Sequence, residues 1–226
     1  MTKAIIFDAS TLISLSMNGL LDELKDLKSI FKGHFIITAN VRKEVIDKPI
    51  EKKRFELEAV RIEQLVRDKV LEYPEVFGVS EQEINSRTTE LVNIANSLFY
   101  GNGKNIHILD EGEVSCLTLS KILTYKKISN VIAVDERTLR VIGEKPQNLK
   151  KILQKKLHTS IRINKNNFQM FEGFRFIRSA ELMYVAWKKG LIDVKSPKTL
   201  DALLWAVKFK GCSITDEEIR EIEGLK

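Results

Sequence analysis

The chain has few of the side chains on which several classes of protein depend. It contains two cysteines and three histidines in 226 residues, and Cys116 and Cys212 lie far apart, outside any CxxC pattern. These spacings exclude a disulfide framework and a zinc site made from Cys and His ligands. Scarce, unpaired cysteine is typical of a reducing compartment, so we expect a cytoplasmic protein.

Long apolar runs and the common phosphate-binding loops are also missing. No apolar segment approaches the roughly 20 residues that span a membrane, and the first strand begins too near the N-terminus for a signal peptide, so we expect no membrane partner. The GxxxxGK[ST] pattern does not occur, and Gly101 and Gly103 lack the third glycine of a dinucleotide-binding loop. No Ser/His/Asp or Cys/His set indicates an enzyme with a side-chain nucleophile.

What the chain does have is enough apolar sequence for a substantial core, and an excess of positive charge. Hydrophobic residues make up 43% and charged residues 30% of the chain, which favours a single globular domain over residues 1–226. The formal net charge of +6 favours a polyanionic partner without establishing one.

Short apolar runs that alternate with helical patterns predict an α/β fold around a parallel sheet. The run AIIF at 4–7 leads into Asp8 and a helix, and HFIIT at 34–38 leads into a second helix. The sequence predicts about five strands in all. The later three are expected at 70–73, 131–134 and 174–177.

Four acids occupy comparable places in this pattern, at the end of a strand or in the helix that follows. They are Asp8, Glu44, Glu113 and Asp135. In a right-handed parallel sheet these places lie along the edge where ligands bind. Carboxylates held close together cannot all stay ionised without a cation, and hard oxygen ligands suit Mg²⁺ or Mn²⁺. Alternatively the acids only cap helices or face solvent, since 31 acidic residues make accidental quartets easy to draw.

The segments around these acids read, in chain order, FDASTLI, TANVRKEV, LDEGEVSCLTLS and VIAVDERTLR. Taken in that order they resemble the acidic motifs of PIN-domain nucleases, particularly the archaeal and bacterial forms with a Gly-Glu helix start. The resemblance covers most of the chain apart from residues 145–173. It implies a three-layer α/β/α sandwich and metal-dependent hydrolysis of RNA phosphodiesters that leaves a 3′-hydroxyl and a 5′-phosphate.

The same resemblance implies roles for individual side chains. The catalytic acids that it carries over are Asp8, Glu44, Glu113 and Asp135. All of them except Glu44 are expected to be principal ligands of Mg²⁺ or Mn²⁺, with Glu44 completing the anionic pocket. Ser10 matches the small polar position after the first acid, and Arg140 matches a basic position after the last.

A basic arm, residues 145–173, interrupts the resemblance before the last strand. It carries seven cations and, up to Phe171, no acid, and its pattern predicts a helix followed by a hairpin of 160–163 with 168–171. We expect it to grip RNA, with Phe168 or Phe171 stacking on a base. The expected phosphate contacts are Lys155, Lys156, Arg162 and Lys165. The alternative is a solvated excursion with no partner.

Other functions stay open beside that of an endoribonuclease. One is a PIN-like RNA-binding or partner-binding protein with little or no catalysis. Another is the toxin of a toxin–antitoxin pair, which would have an antitoxin-like protein partner. A homodimer is compatible with each of these alternatives.

Overall fold

A computed structural model describes residues 2–144, 146–164 and 167–225 of the chain. The protein is of the mixed α/β class, with a parallel sheet of four strands, a small antiparallel sheet of three strands, and many helices. Within the described ranges no helix is both long and apolar enough to cross a membrane.

The strands are short, and each has its place in one of two sheets. In chain order they are β1 (Lys3–Phe7), β2 (His34–Ile36), β3 (Phe99–Gly101), β4 (Lys104–Asn105), β5 (Ser129–Ala133), β6 (Arg162–Ile163) and β7 (Phe176–Ile177). The parallel sheet has the order β2-β1-β5-β7, and the antiparallel sheet has the order β4-β3-β6.

Helices follow most of the strands. In chain order they are α1 (Ala9–Met17), α2 (Leu21–Ile30), α3 (Ala39–Arg42), α4 (Glu56–Arg67), α5 (Glu81–Ala95), α6 (Glu111–Tyr125), α7 (Arg137–Glu144), α8 (Pro146–Leu157), α9 (Ser179–Lys188), α10 (Thr199–Phe209) and α11 (Asp216–Gly224). A π-helical segment, Lys43–Asp47, extends α3. Short 3₁₀ turns occur at Pro49–Glu51, Pro74–Phe77 and Phe168–Phe171.

Strand β1 is the centre of the parallel sheet because its apolar residues are buried between two neighbours. Ile6 pairs with Ile36 of β2 on one side and with Ile132 of β5 on the other, and none of the three is exposed. The ladder continues past the strand, since the Asp8 N–H donates to the Ala133 carbonyl at 2.9 Å. This bond fixes Asp8 at the carboxyl edge of the sheet, where parallel α/β folds place their sites.

The parallel sheet is one strand smaller than the sequence predicts. Residues 70–73 form only an isolated bridge, in which Glu72 pairs with Ile36. Pro74, which has no N–H to donate to a ladder, begins a 3₁₀ turn directly afterwards. The apolar residues of this stretch still join the core, and Leu71 is 1% exposed.

The basic arm does not form the predicted hairpin. Strand β6 pairs instead with β3, and Phe168–Phe171 form a 3₁₀ turn whose two phenylalanines are buried. Residues three apart share one face of a 3₁₀ turn, so both rings point inward, and the Phe168 ring lies 6.0 Å from that of Phe99. Neither buried ring is available to stack on a base, which corrects that part of the prediction. Lys145 and Lys165 lie outside the described residues.

Candidate active site

Asp8 is a buried acid of the candidate site, at the end of β1. Its carboxylate caps α1 by accepting from the Ser10 N–H at 3.0 Å and from the Ser10 hydroxyl at 2.5 Å, both through Oδ2. Burial raises its pKa, the bonds from Ser10 oppose this, and the charge of Glu136 adds to the rise. The other oxygen, Oδ1, is buried without a hydrogen-bond partner among the described residues.

Glu44 reaches the same region from the π-helical extension of α3. Its carboxylate packs against Gly112 of α6, where an added Cβ would lie 2.3 Å from Oε1. Two hydroxyls hold the helices together, since Thr38, the cap of α3, bonds Ser115 at 2.6 Å. The glycine of the Gly-Glu pair therefore leaves room for the Glu44 carboxylate to pack on α6.

Glu113 lies next to Gly112, in the first turn of α6. Its Oε2 accepts from the Asp110 N–H at 2.9 Å and so completes a capping box. Burial raises its pKa to about 9 against the opposing Asp110 bond, and the charges of Asp8 and Glu136 raise it further. At neutral pH this carboxyl group holds a proton unless a cation compensates it.

These three acids come from three separate parts of the chain, and the charge of Asp8 acts on each of the other two. Burial, followed by the charges of Asp8 and Asp110, raises the pKa of Glu44 to about 7. The buried Cys116 thiol also has its pKa raised, by burial and then by the charges of Asp8, Glu44 and Glu113. The charges of Asp8, Glu44 and Glu113 thus act on one region of the fold, and we call these three residues the acidic cluster.

Asp135 lies at the same sheet edge, but its carboxylate is committed elsewhere. It accepts from the Ser179 N–H at 2.7 Å and from the Ser179 hydroxyl at 2.6 Å, at the start of α9. Its connection to the cluster runs through its backbone, whose N–H donates to the Ser10 hydroxyl oxygen at 3.0 Å. Asp135 is completely buried, and burial raises its pKa.

Glu136, the next residue, is the acid that the sequence analysis missed. Its charge raises the pKa of both Asp8 and Glu113, and its carboxylate caps α7 by accepting from the N–H groups of Thr138 and Leu139. Its position directly after the predicted Asp135 was the available signal.

The predicted supporting cation, Arg140, faces the C-terminal segment. It donates to the Ser213 carbonyl at 2.9 Å, and Ser213 in turn donates its N–H to the Asp135 carbonyl at 2.9 Å. Arg178 bonds the same Ser213 carbonyl and pairs with Glu218 of α11. Arg140 therefore braces the chain around the end of β5.

The predicted RNA contacts within the described ranges lie on the surface. Lys155 and Lys156 are exposed near the end of α8, and Arg162 is exposed on β6. Lys165 falls outside the described residues. Among the described residues, no hydrogen bond or ion pair joins Lys155, Lys156 or Arg162 to the acidic cluster.

The ability of the acidic cluster to hold a cation depends on its donor atoms. Among the described residues no group of three or more His, Cys, Asp or Glu side chains stands ready to hold a metal ion. The chemistry of the donors nevertheless suits Mg²⁺ or Mn²⁺, which prefer carboxylate oxygens. Asp8 Oδ1 is buried and has no hydrogen-bond partner among the described residues, and the carboxyl groups of Glu44 and Glu113 have raised pKa values.

A mostly apolar cleft of about 310 Å³ opens beside Glu44. Ile13 and Met17 of α1 line one side of it, and Phe55 lines another. The carboxylate thus lies at the border between the buried cluster and a solvent-filled opening.

We expect Gly112→Ala to separate stability from the geometry of the site. Alanine favours a helix by about 1 kcal/mol over glycine, and the atom that its Cβ meets is the movable end of the Glu44 side chain. The free energy of unfolding should stay equal or rise, while affinity for Mn²⁺ falls about 10- to 100-fold through displacement of Glu44. Urea unfolding and Mn²⁺ titration of the variant measure the two effects, and an unchanged Mn²⁺ affinity would contradict the expectation.

We expect the metal-free protein to lose stability as the pH rises. Glu113 and Glu44 have ordinary pKa values of 4.5 that the fold raises to about 9 and about 7, so the folded state binds more protons than the unfolded state in this window. The contribution of these two groups to the free energy of unfolding is fully present below pH 4.5 and is lost as the pH rises toward 9. Glu113 accounts for a loss of at most about 1.4 kcal/mol per pH unit. Urea unfolding in EDTA measures the slope. Glu113→Gln should flatten it, whereas the exposed Glu90→Gln should leave it unchanged.

Comparisons of the chain with protein-family models, with curated proteins and with solved structures found no match. The residues of the site and the order of the four sequence motifs are therefore the basis for a functional proposal.

Proposed function

We propose that the protein is a divalent-metal-dependent endoribonuclease of the PIN type. The observation that carries this proposal is that Asp8 lies at the carboxyl edge of the parallel sheet with an oxygen that has no partner among the described residues, while the Glu44 carboxylate packs on Gly112, next to Glu113. Buried carboxylates that raise one another's pKa cost stability, and sites of this kind are retained where they bind a cation or transfer protons.

The proposed fold is a three-layer α/β/α sandwich in which helices cover both faces of the parallel sheet. The order β2-β1-β5-β7, with helices between consecutive parallel strands, supports it. Parallel strands need crossover connections, and helices that form these crossovers cover the sheet. The antiparallel sheet and the basic arm are additions to this plan.

The proposed ligands of Mg²⁺ or Mn²⁺ are Asp8, Glu113 and Asp135, with Glu44 completing the pocket and Glu136 as a further acid. A bound divalent ion supplies an activated water and neutralises charge on a phosphate. Ser10 orients Asp8 through two hydrogen bonds and ties it to the Asp135 backbone. The phosphodiester bond would then be hydrolysed to a 3′-hydroxyl and a 5′-phosphate.

RNA is the proposed substrate because the chain is basic outside its acidic cluster. The formal net charge is +6, and exposed cations occupy α8 and β6. A positive surface attracts the phosphate backbone without selecting a sequence. The proposal places the protein in the cytoplasm.

Metal removal is the experiment that tests this function. We expect cleavage of a labelled single-stranded RNA in the presence of Mn²⁺ or Mg²⁺, none in EDTA, and recovery when the metal is returned. The same ions should raise the melting temperature, since a ligand at 100 times its Kd stabilises the folded state by about 2.7 kcal/mol. Cleavage that persists in EDTA, with a melting temperature indifferent to millimolar Mn²⁺, would overturn the proposal.

A second candidate is a PIN-like protein that binds RNA or a protein partner without cleaving. The hydrogen bonds that Asp135 accepts from Ser179 favour it, because they engage both carboxylate oxygens of a proposed metal ligand. The cleavage assay separates the two candidates, since only this second candidate predicts RNA binding without metal-dependent products.

A further inference from the structure

Two aromatic rings stack at the end of α10, one exposed and one half-buried. The Phe209 side chain is 76% exposed, and its ring stacks on Trp205 with centroids 5.5 Å apart and planes inclined by 28°. Single exposed apolar residues are common, so exposure alone assigns no role. The stack differs because one ring fixes the orientation of the other and leaves an open aromatic face.

Two lysines flank this pair. Lys208 lies 4.5 Å from the centroid of the Trp205 ring and also pairs with Asp216, while Lys210 is exposed directly after Phe209. An aromatic face flanked by positive charge is the arrangement on which single-stranded nucleic acids stack. A protein partner with an apolar surface would gain nothing from these flanking charges.

The pair is tied to the edge of the sheet that carries the acids. The Val207 carbonyl, two residues before Phe209, accepts from Ser14 of α1 at 3.5 Å. The chain after Phe209 reaches Ser213, whose N–H donates to the Asp135 carbonyl at 2.9 Å. Ser213 lies four positions after Phe209, so at most about 14 Å separates the Cα atoms of these two residues. Arg137, two residues after Asp135, is also exposed.

We propose that Phe209 is a stacking platform for a base of single-stranded RNA that is bound across the acidic cluster. This inference rests on the proposed function and adds the strandedness of the substrate and the residue that holds it. Paired bases keep their faces covered within a duplex, so the platform selects unpaired RNA. It takes the stacking role for which the buried Phe168 and Phe171 are unavailable.

The first test is binding of a fluorescein-labelled uridine octamer in EDTA, where the proposed cleavage does not proceed. F209A and F209L should weaken binding about 5- to 100-fold, and F209Y should keep the affinity of the parent protein, because only aromatic rings stack. F209A should leave the slope of affinity against salt unchanged, since Phe209 touches no phosphate, while K210A should flatten it.

Tyr125 offers the matched control. It is 91% exposed at the end of α6, whose first turn carries Glu113, so it lies on the order of 20 Å from the cluster. Y125A should bind the octamer like the parent protein. Melting temperatures of Y125A and F209A should both stay close to that of the parent, since both rings are largely exposed.

A second readout follows the aromatic pair directly. The chain has two tryptophans, so W187F leaves Trp205 as the only one. The octamer should quench the fluorescence of this variant, and F209A in the same background should lessen the quenching.

Each outcome separates this inference from the proposed function. Octamer affinity that is equal in F209A and the parent, or an absence of octamer binding by the parent, overturns the platform even if metal-dependent cleavage is present. Octamer binding that F209A weakens and F209Y restores supports the platform even if no metal yields cleavage.

Discussion

Replacing Asp8 by asparagine is expected to lower metal-dependent cleavage by about two to four orders of magnitude. A bound ion contributes several kcal/mol to the stabilisation of the transition state, and each 1.36 kcal/mol is a factor of ten in rate. The asparagine side chain would keep an oxygen for the Ser10 bonds but would offer no charge to a cation. Initial rates on a labelled RNA, measured at saturating Mn²⁺, give the effect.

The fold of this variant should survive, because the substitution removes repulsion with Glu113 and Glu44. The pKa of each of these groups is raised by the charge of Asp8, so both values should fall when that charge is lost. Glu90→Gln, an exposed change on α5, is the control for general loss of negative charge. Parent-like rates in Asp8→Asn, with the same purification, would remove the cluster from the mechanism.

Replacing Asp135 by alanine is expected to destabilise the fold by about 3 kcal/mol, through two unsatisfied donors. The Ser179 N–H and hydroxyl both bond this carboxylate inside the protein, and each buried donor left without a partner costs about 1–3 kcal/mol. For a chain of this length the melting temperature should fall by about 6–12 °C. Thermal unfolding monitored by circular dichroism measures it.

Ser80→Ala is the matched comparison for Asp135→Ala, because it removes an exposed helix cap. Ser80 accepts from the Glu83 N–H at the start of α5, and the loss of such a cap costs about 1 kcal/mol. Relief of carboxylate repulsion by itself predicts that Asp8→Asn and Asp135→Asn both keep an intact fold. Because Ser179 donates two hydrogen bonds to Asp135, we expect Asp135→Asn to be the less stable of these two variants. Equal melting temperatures for Asp135→Ala and Ser80→Ala would contradict the buried role.

Local patterns predicted the α/β class and the placement of several acids. Asp8 follows a strand whose apolar residues leave it no other place than the sheet edge, and it caps the next helix as a short carboxylate does. Glu113 is fixed by a capping box that is visible in its spacing from Asp110. Such features depend on residues within a few positions of one another, so the sequence alone carries them.

Strand pairing in the basic arm required the tertiary structure. The spacing of 160–163 and 168–171 suits a hairpin, yet β6 pairs with β3, some sixty residues earlier in the chain. Burial of Phe168 and Phe171 competes with the turn and prevails, because each buried aromatic ring contributes on the order of 2 kcal/mol.

The sequence by itself determined that Asp8 stands at the end of a strand, Glu44 in the helix after the next strand, and Glu113 in the first turn of a helix. Only the tertiary structure decided that the charge of Asp8 acts on Glu44 and Glu113, that Asp135 bonds Ser179, and that the charge of Glu136 acts on Glu113. The physical reason is that spacing along the chain fixes where a Cα lies, whereas the direction of a carboxylate depends on donors and charges that distant segments bring to it.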